Sequence, residues 1–466
     1  MKATCPRLVI AGTGSGVGKT SLALGLARWL ARQGLRVQTF KVGPDFLDPS
    51  YLALASGRTC YNLDGWMTSR DYVRGLFART TADADLALIE GVMGMFDGAS
   101  PQTLAGSTAE IAQWLGAPVL LVANAHGVAR SLAATVKGFA QFEPGVHVAG
   151  VIANQGGSPR HRSWLAESLA SAGTAPLLGM LPRGSLPTLP SRHLGLVAAD
   201  QANFPAESLD RLADACGQHL DVPAIMELAR AAENLEVQEP SSPGSLPAAS
   251  VSRRVRLGIA RDEAFHFYYA DNLESLAGAG AEWAPFSPLA DRRLPADLDG
   301  LYFGGGYPEA HAARLADNGE MLTDVRQFAA SGRAIYAECG GLMYLGQTLT
   351  CQDATRYPMA GVLPIQTAML EKLKVLGYAE VTWAADSLWG AAGQRARGHE
   401  FHYSEITSDA CASDGWQPAY SVCRAGAEPA HGGFFRDRVL AGYVHLHWAS
   451  RPDAIDHFLS SCERRS

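Results

Sequence analysis

Two short stretches carry the residue types from which chemistry is built. The first is Gly12-Thr13-Gly14-Ser15-Gly16-Val17-Gly18-Lys19-Thr20. It follows an apolar run at residues 8–11 and opens a stretch of helical periodicity at residues 19–32. A glycine-rich turn between strand and helix lets backbone N–H groups converge on phosphate oxygens, and the helix N-terminus adds partial positive charge. In such a loop Gly16 and Gly18 shape the curl, Lys19 reaches the β- and γ-phosphates of ATP, and Thr20 holds Mg2+. The usual spacing puts the first glycine at position 13; here Thr13 stands there and Gly12 precedes it.

The second stretch is Ala334-Ile335-Tyr336-Ala337-Glu338-Cys339-Gly340-Gly341-Leu342-Met343. It reads as a strand, a sharp turn and a helix start, the layout of a nucleophile elbow with cysteine in place of serine. The helix N-terminus behind Cys339 is expected to lower the thiol pKa. Upstream, Phe303-Gly304-Gly305-Gly306-Tyr307-Pro308-Glu309 ends another strand. The backbone N–H groups of Gly305 and Gly306, with Gly340, offer an oxyanion hole for a tetrahedral intermediate. Downstream, Ala441-Gly442-Tyr443-Val444-His445-Leu446-His447-Trp448 places two histidines on the same side of an extended segment. One of them serves as general base to the thiol. His445 is the expected base; spacing alone leaves His447 open.

Carboxylates stand near the first stretch. Asp85-Leu86-Ala87-Leu88-Ile89-Glu90-Gly91 is an apolar strand ending in an acid at the edge where ligands gather in open α/β sheets. Glu90 is the expected second magnesium ligand. The loop Lys41-Val42-Gly43-Pro44-Asp45-Phe46-Leu47-Asp48-Pro49 adds one cation and two acids, with Asp48 a further candidate for the metal.

The elements that must position these residues follow from the apolar runs. Residues 8–11, 36–40, 86–89, 118–123 and 148–153 read as buried parallel strands separated by helices. Residues 233–252, rich in Pro, Ser and Glu without a period, read as a linker. New strands start at residues 255–260, 300–303 and 334–337. The expected architecture is α/β with two doubly wound domains: a P-loop NTPase-like parallel sheet over 1–232 and a second sheet, carrying Cys339, over 253–466.

The 466 residues carry a net charge of −7, which gives no general pull toward nucleic acid or anionic membrane. No apolar run is long enough to span a bilayer, and residues 1–6 lack the apolar core of a signal peptide, so a cytoplasmic protein is expected. Eight cysteines are scattered without a C-x-x-C pair, which argues against zinc-ribbon or iron–sulfur sites.

The chain resembles the cobyrinic acid a,c-diamide synthase family over nearly its whole length. The resemblance rests on residues 40–49, on Cys60-Tyr61-Asn62-Leu63-Asp64, and on Glu90-Gly91-Val92-Met93-Gly94-Met95-Phe96-Asp97-Gly98. It rests further on Leu189-Pro190-Ser191-Arg192-His193-Leu194-Gly195-Leu196, on Gly398-His399-Glu400-Phe401-His402-Tyr403-Ser404, and on residues 443–448. It implies a dethiobiotin-synthetase-like P-loop fold followed by a class I glutamine amidotransferase. It implies that L-glutamine is hydrolysed at Cys339 and that ammonia passes internally to the ATP site. There two acetates of cobyrinic acid are activated as acyl phosphates and amidated, a step of cobalamin biosynthesis. It also implies that Asp45, Asp48, Glu90 and Asp97 line the ATP–substrate site, with Lys41 among them, and that Asn154 stands where relatives hold adenine.

Class I amidotransferases carry His-x-Glu where this chain has His445-x-His447, so the expected triad shortens to a Cys339–His445 dyad. Gly14 stands where partition ATPases carry an extra lysine. Two alternatives are open: the same reaction on hydrogenobyrinic acid or nickel-sirohydrochlorin, and a P-loop regulatory ATPase with an inactive second domain. A homodimer is compatible with the sequence.

Overall fold

The computed structural model describes residues 2–187, 189, 191–192, 195–196, 204–237, 254–409 and 415–463. The chain divides into two compact units, Met1–Pro240 and Ser241–Ser466.

In the first unit seven parallel strands form one sheet, in the order Tyr61–Leu63, Val37–Val42, Leu86–Glu90, Arg7–Gly12, Val119–Asn124, Val148–Gly156, Leu177–Pro182. Arg7–Gly12 sits centrally, and all six of its residues are buried. A parallel strand covered on both faces has to be apolar along its length. Arg7 is the exception, and it is satisfied: its Nε donates to Leu115 O at 2.6 Å. Helix Lys19–Arg32 turns Leu22, Leu26 and Leu30 into the core together with residues of Leu47–Ser56 and Ala206–His219. A Cβ on Gly25 would lie 2.6 Å from Leu212 O, so glycine there permits close helix contact. The phosphate loop leaves the C-terminal end of the central strand, where the chain order of the neighbours reverses and ligands collect.

The segment expected as a linker begins inside this unit: Leu235–Glu236 pairs antiparallel with Lys2–Ala3. Residues 238–253 lie outside the described residues, as do His193 and Leu194 of the 189–196 segment.

In the second unit ten strands form one mixed sheet. Ala281–Phe286, Val255–Ala260, Gly300–Phe303, Ala334–Glu338 and Val439–Gly442 run parallel. Ala430–Arg436, Gln417–Arg424, Val375–Trp383, Arg395–His402 and His445–Leu446 extend the sheet in antiparallel fashion. An aromatic layer backs the strand Ala334–Glu338: Tyr336 lies 5.8 Å from Trp448 and 6.1 Å from Phe458 by ring centroids. Packing of this kind fixes the strand from which Cys339 projects.

Candidate active site

The phosphate loop adopts the conformation its glycines allow. Gly16 and Gly18 have φ of 74° and 99°, and a Cβ on Gly18 would lie 2.3 Å from Asn154 Nδ2. Asn154 donates from that nitrogen to Val17 O at 2.9 Å, which ties the loop to the strand Val148–Gly156. A cavity of about 470 Å³ opens here, lined by Gly16, Gly18, Lys19, Thr20 and Asn154, and by Pro182, Gly184 and Leu186 among others. Lys19 Nζ donates to Gly14 O at 3.0 Å and to Met93 O. Met93 has a φ of 46°, a left-handed conformation for a non-glycine residue. Burial, then the charge of Lys41, lowers the Lys19 pKa.

Beneath the loop lies a bonded network of charges. Thr20 Oγ1 donates to Glu90 Oε1 at 2.6 Å, and Lys41 Nζ donates to the same oxygen at 3.0 Å. Lys41 is also ion-paired with Asp48. The Lys41 side chain is 4% exposed and that of Glu90 is 0% exposed. Burial works against the Lys41 ammonium, but Asp48 and Glu90 outweigh it and its pKa rises. Burial pushes Glu90 up to about 7, against the pull of Lys41. Burial, then the Asp48 charge, pushes Asp45 up to about 6.

Lys19, Thr20, Lys41, Asp48 and Glu90 thus come together. Asp45 stands beside them as a loop-former: its Oδ1 accepts from Leu47 N at 2.7 Å and from Asp48 N at 3.1 Å, starting the helix Leu47–Ser56. Asp97 is exposed and accepts from Gly94 N at 2.9 Å within its own loop; its charge still bears on Lys19. Asn62, which has no assigned role in the sequence, donates to Gly43 O at 2.8 Å and to Asp45 O at 2.7 Å and pins this loop.

The donors suit magnesium. Thr20, Glu90 and Asp48 present only hard oxygens, and Glu90 Oε2 is buried without a hydrogen-bond partner among the described residues. No three His, Cys, Asp or Glu cluster as metal ligands among the described residues. The site therefore offers one or two carboxylates, the usual share where substrate phosphates complete the shell.

At the thiol end, Cys339 has φ 48° and ψ −104° and caps the helix Gly340–Leu345. A side chain held in that region is strained, as at nucleophile elbows. Cys339 N donates to Gly442 O at 2.7 Å, and Gly341 N donates to Gly304 O at 3.1 Å. A Cβ on Gly340 would lie 3.1 Å from Gly306 N, and one on Gly305 would lie 2.4 Å from His445 Cε1 and 3.2 Å from Nε2. Only glycines let these three segments approach.

His445 stacks on His399, with centroids 5.0 Å apart, and His399 Nδ1 meets the Tyr269 hydroxyl at 2.9 Å. His447 lies elsewhere: its Nε2 is 3.3 Å from Asp271 Oδ2, and its Nδ1 accepts from Ala449 N. The geometry therefore sets His445 against the oxyanion loop and commits His447 to a buried acid and a turn.

The thiol pKa runs opposite to the sequence expectation. Burial, then Glu309, raises it, and the Gly340 N–H contact does not compensate. The helix behind it has only six residues, and Cys339 is 5% exposed. Burial, then His399 and His402, drops His445 well below the usual range. Near neutral pH both groups are uncharged, a state from which the thiol proton can pass to the imidazole.

Sequence reasoning assigned no role to Asn62, Met93, Tyr269, Glu338 or His399. Asn62, Met93 and His399 lie within the resembling segments, the one signal that pointed at them.

Residues 8–197 match the family model described as the CobQ/CobB/MinD/ParA nucleotide binding domain. Residues 256–453 match the CobB/CobQ-like glutamine amidotransferase domain. A relative from Syntrophotalea carbinolica is 56% identical, covering 99% of this chain and 100% of its own. One from Leptospira interrogans is 42% identical over 100% of both chains, and one from Priestia megaterium is 40% identical over 98% of this chain and 97% of its own. All three are named cobyrinate a,c-diamide synthase.

Proposed function

The chain belongs to the cobyrinate a,c-diamide synthase family, and from that premise we propose how its two sites divide the reaction of a carbon–nitrogen ligase. The acceptors are the a and c acetate carboxylates of cobyrinic acid, amidated in cobalamin biosynthesis. The nitrogen comes from L-glutamine at Cys339, and ATP drives the coupling in the cytoplasm.

A free carboxylate is a poor acylating agent, because its oxygen leaves badly. Transfer of the γ-phosphoryl group from ATP to that oxygen gives an acyl phosphate and ADP. Ammonia then adds to the acyl carbon, and phosphate departs with the former carboxylate oxygen. Phosphoryl transfer asks the protein mainly for positioning and for positive charge. Lys19, released from Gly14 O and Met93 O, binds the phosphates. Lys41 holds Asp48 and Glu90 in place. Held by Thr20 and Glu90, with Asp48 at hand, Mg2+ would supply further positive charge to the phosphate oxygens. Asp45 and Asp97 position the loops that border the acceptor, and Asn154 borders the nucleotide cavity.

At the second site Cys339 attacks the glutamine amide carbon. Gly305, Gly306 and Gly340 stabilise the oxyanion, and His445 carries the proton from sulfur to the departing nitrogen.

The observation that supports this most is the joint presence of two sites: a phosphate loop whose Thr20 bonds a buried carboxylate, and a strained cysteine and a neutral histidine that both border the 304–306 glycine loop. The test is mass spectrometry after incubation with cobyrinic acid, ATP, magnesium and glutamine. The expected product has exchanged hydroxyl for amino twice. Metal-free hydrogenobyrinic acid and nickel-sirohydrochlorin run alongside; faster turnover of either would reassign the acceptor.

A further inference from the structure

The strand Ala334–Glu338 ends in an acid one residue before the thiol. Glu338 is buried, 3% exposed, among aromatic rings. Its Oε1 accepts from the Tyr336 hydroxyl at 2.6 Å and from Leu446 N at 3.0 Å, and its Oε2 accepts from the Tyr302 hydroxyl at 3.1 Å. Leu446 is the chain neighbour of His445, so one carboxylate joins the strand bearing the nucleophile to the strand bearing the histidine. Glu338 Oε2 also lies 3.9 Å from His445 Nδ1. The ring is oriented to match: the Cε1–Nε2 edge faces the oxyanion loop at Gly305, and Nδ1 faces the acid.

A buried carboxylate is costly. Burial pushes Glu338 up to about 7, while the bonds from Tyr336, Leu446 and Tyr302 pull it back. Three donors stabilise its ionised form without any cation in the bonded set, which keeps a negative charge available to whatever Nδ1 becomes. The other ionisable rings whose charge bears on His445, His399 and His402, are not anionic. His447 also bears on Glu338 and lowers its pKa.

We infer that Glu338 is the positioning residue for His445 and stands in for the acid that this chain lacks at His445-x-His447. The inference rests on the reading of His445 as base. Glu338 accepts the Nδ1 proton in a hydrogen bond that tightens when glutamine binds, as catalytic contacts that are long in the free enzyme do. That bond fixes the tautomer in which Nδ1 carries the proton and Nε2 is the basic nitrogen. Nε2 takes the Cys339 proton as sulfur bonds to the glutamine δ-carbon. It then gives that proton to the leaving nitrogen, and ammonia departs from the thioester. Water next attacks the thioester, its proton passes through Nε2 to sulfur, and glutamate leaves. In its ionised form Glu338 steadies the imidazolium and is not itself a proton carrier in either step.

The test is Glu338→Gln in the full chain, which keeps the size and loses the charge. The expected result is a fall in glutaminase kcat of about 100-fold or more, with little change in the glutamine KM. The acid limb of kcat/KM should move to lower pH, because the imidazolium has lost its counter-charge, while ammonia-dependent amide synthesis stays as in the parent. Glu338→Asp, which keeps the charge but draws it back, should recover part of kcat. An unchanged kcat and an unmoved acid limb in Glu338→Gln overturn the inference. If Glu338→Gln fails to fold, Glu338→Asp decides: parental kcat and pH profile there overturn it equally. His445→Ala separates the premises. If it hydrolyses glutamine at the parental rate, the base assignment falls; if it is inactive while Glu338→Gln is normal, only the role of Glu338 falls.

Discussion

At the phosphate loop the protein crowds opposite charges together; at the thiol the nucleophile and the histidine are themselves neutral. Thr20, Lys41, Asp48 and Glu90 form one buried bonded network, and the Lys19 ammonium stands close enough to feel its charges. Around Cys339 the working groups are a protonated thiol, a neutral imidazole and a stacked second imidazole, and the charges that bear on the thiol are the carboxylates Glu309, Glu400 and Glu338. The difference follows from the bonds each site must change. A phosphoryl group carries dense negative charge, and its transfer is stabilised by fixed cations. A glutamine amide is neutral, and its cleavage needs a proton moved out and back, which neutral partners near each other do best. On the proposed division, joining both in one chain keeps ammonia from becoming ammonium in water, which is not a nucleophile.

The largest effect that could break this contrast is at Lys19. On the proposed division, Lys19→Ala lowers amide synthesis about 10³-fold or more, whether nitrogen comes from glutamine or from ammonium. Glutamine hydrolysis without ATP stays at the parental rate. Product formation and glutamate release, measured side by side, check this; loss of both activities would deny that the charges serve one site only.

Next comes Lys41. Lys41→Met strands the Asp48 and Glu90 carboxylates in the interior and should lower unfolding stability by about 3–5 kcal/mol. His399→Phe at the other site strands no charge and should cost under about 2 kcal/mol. Calorimetry on both variants measures the gap, and equal losses would erase it.

The smallest effect is a pH trend. Burial, then His311, drops His266 to about 4, and burial, then His447, drops His399 to about 3, both below the usual 6.5. The unfolded chain therefore binds their protons first. Their contribution to stability is intact above about 6.5 and is lost as pH falls toward 4. Glu338 and Glu90, raised to about 7, and Asp45, raised to about 6, act in the opposite sense and partly offset them. Thermal unfolding should drop over that window in the parent and drop less in His399→Phe; parallel curves would count against the assignment.

What could be read from sequence divides along the same line. The phosphate loop and the elbow are contiguous, so glycines, Lys19, Thr20 and Cys339 declared themselves. The parallel strands are apolar from end to end, and the helix Lys19–Arg32 has an unbroken period. The antiparallel extension escaped because its strands are half exposed: Val375–Trp383 alternates buried and partly exposed residues along only its second half. The partners that complete each site lie far apart in the chain. Met93 O meets Lys19 across a loop, and Glu338 meets His445 across two strands. His445 and His447 look alike by spacing, and only Gly305 and Asp271 tell them apart. The direction of the Cys339 pKa depends on burial, which no local motif reports.

The division of labour between the two regions is tested most directly with Cys339→Ala. Supplied with glutamine, ATP and magnesium, it should form no diamide; supplied with ammonium instead of glutamine, it should form diamide at the parental ammonium-dependent rate. Undiminished glutamine-dependent synthesis by Cys339→Ala, or loss of synthesis from ammonium as well, would contradict the account.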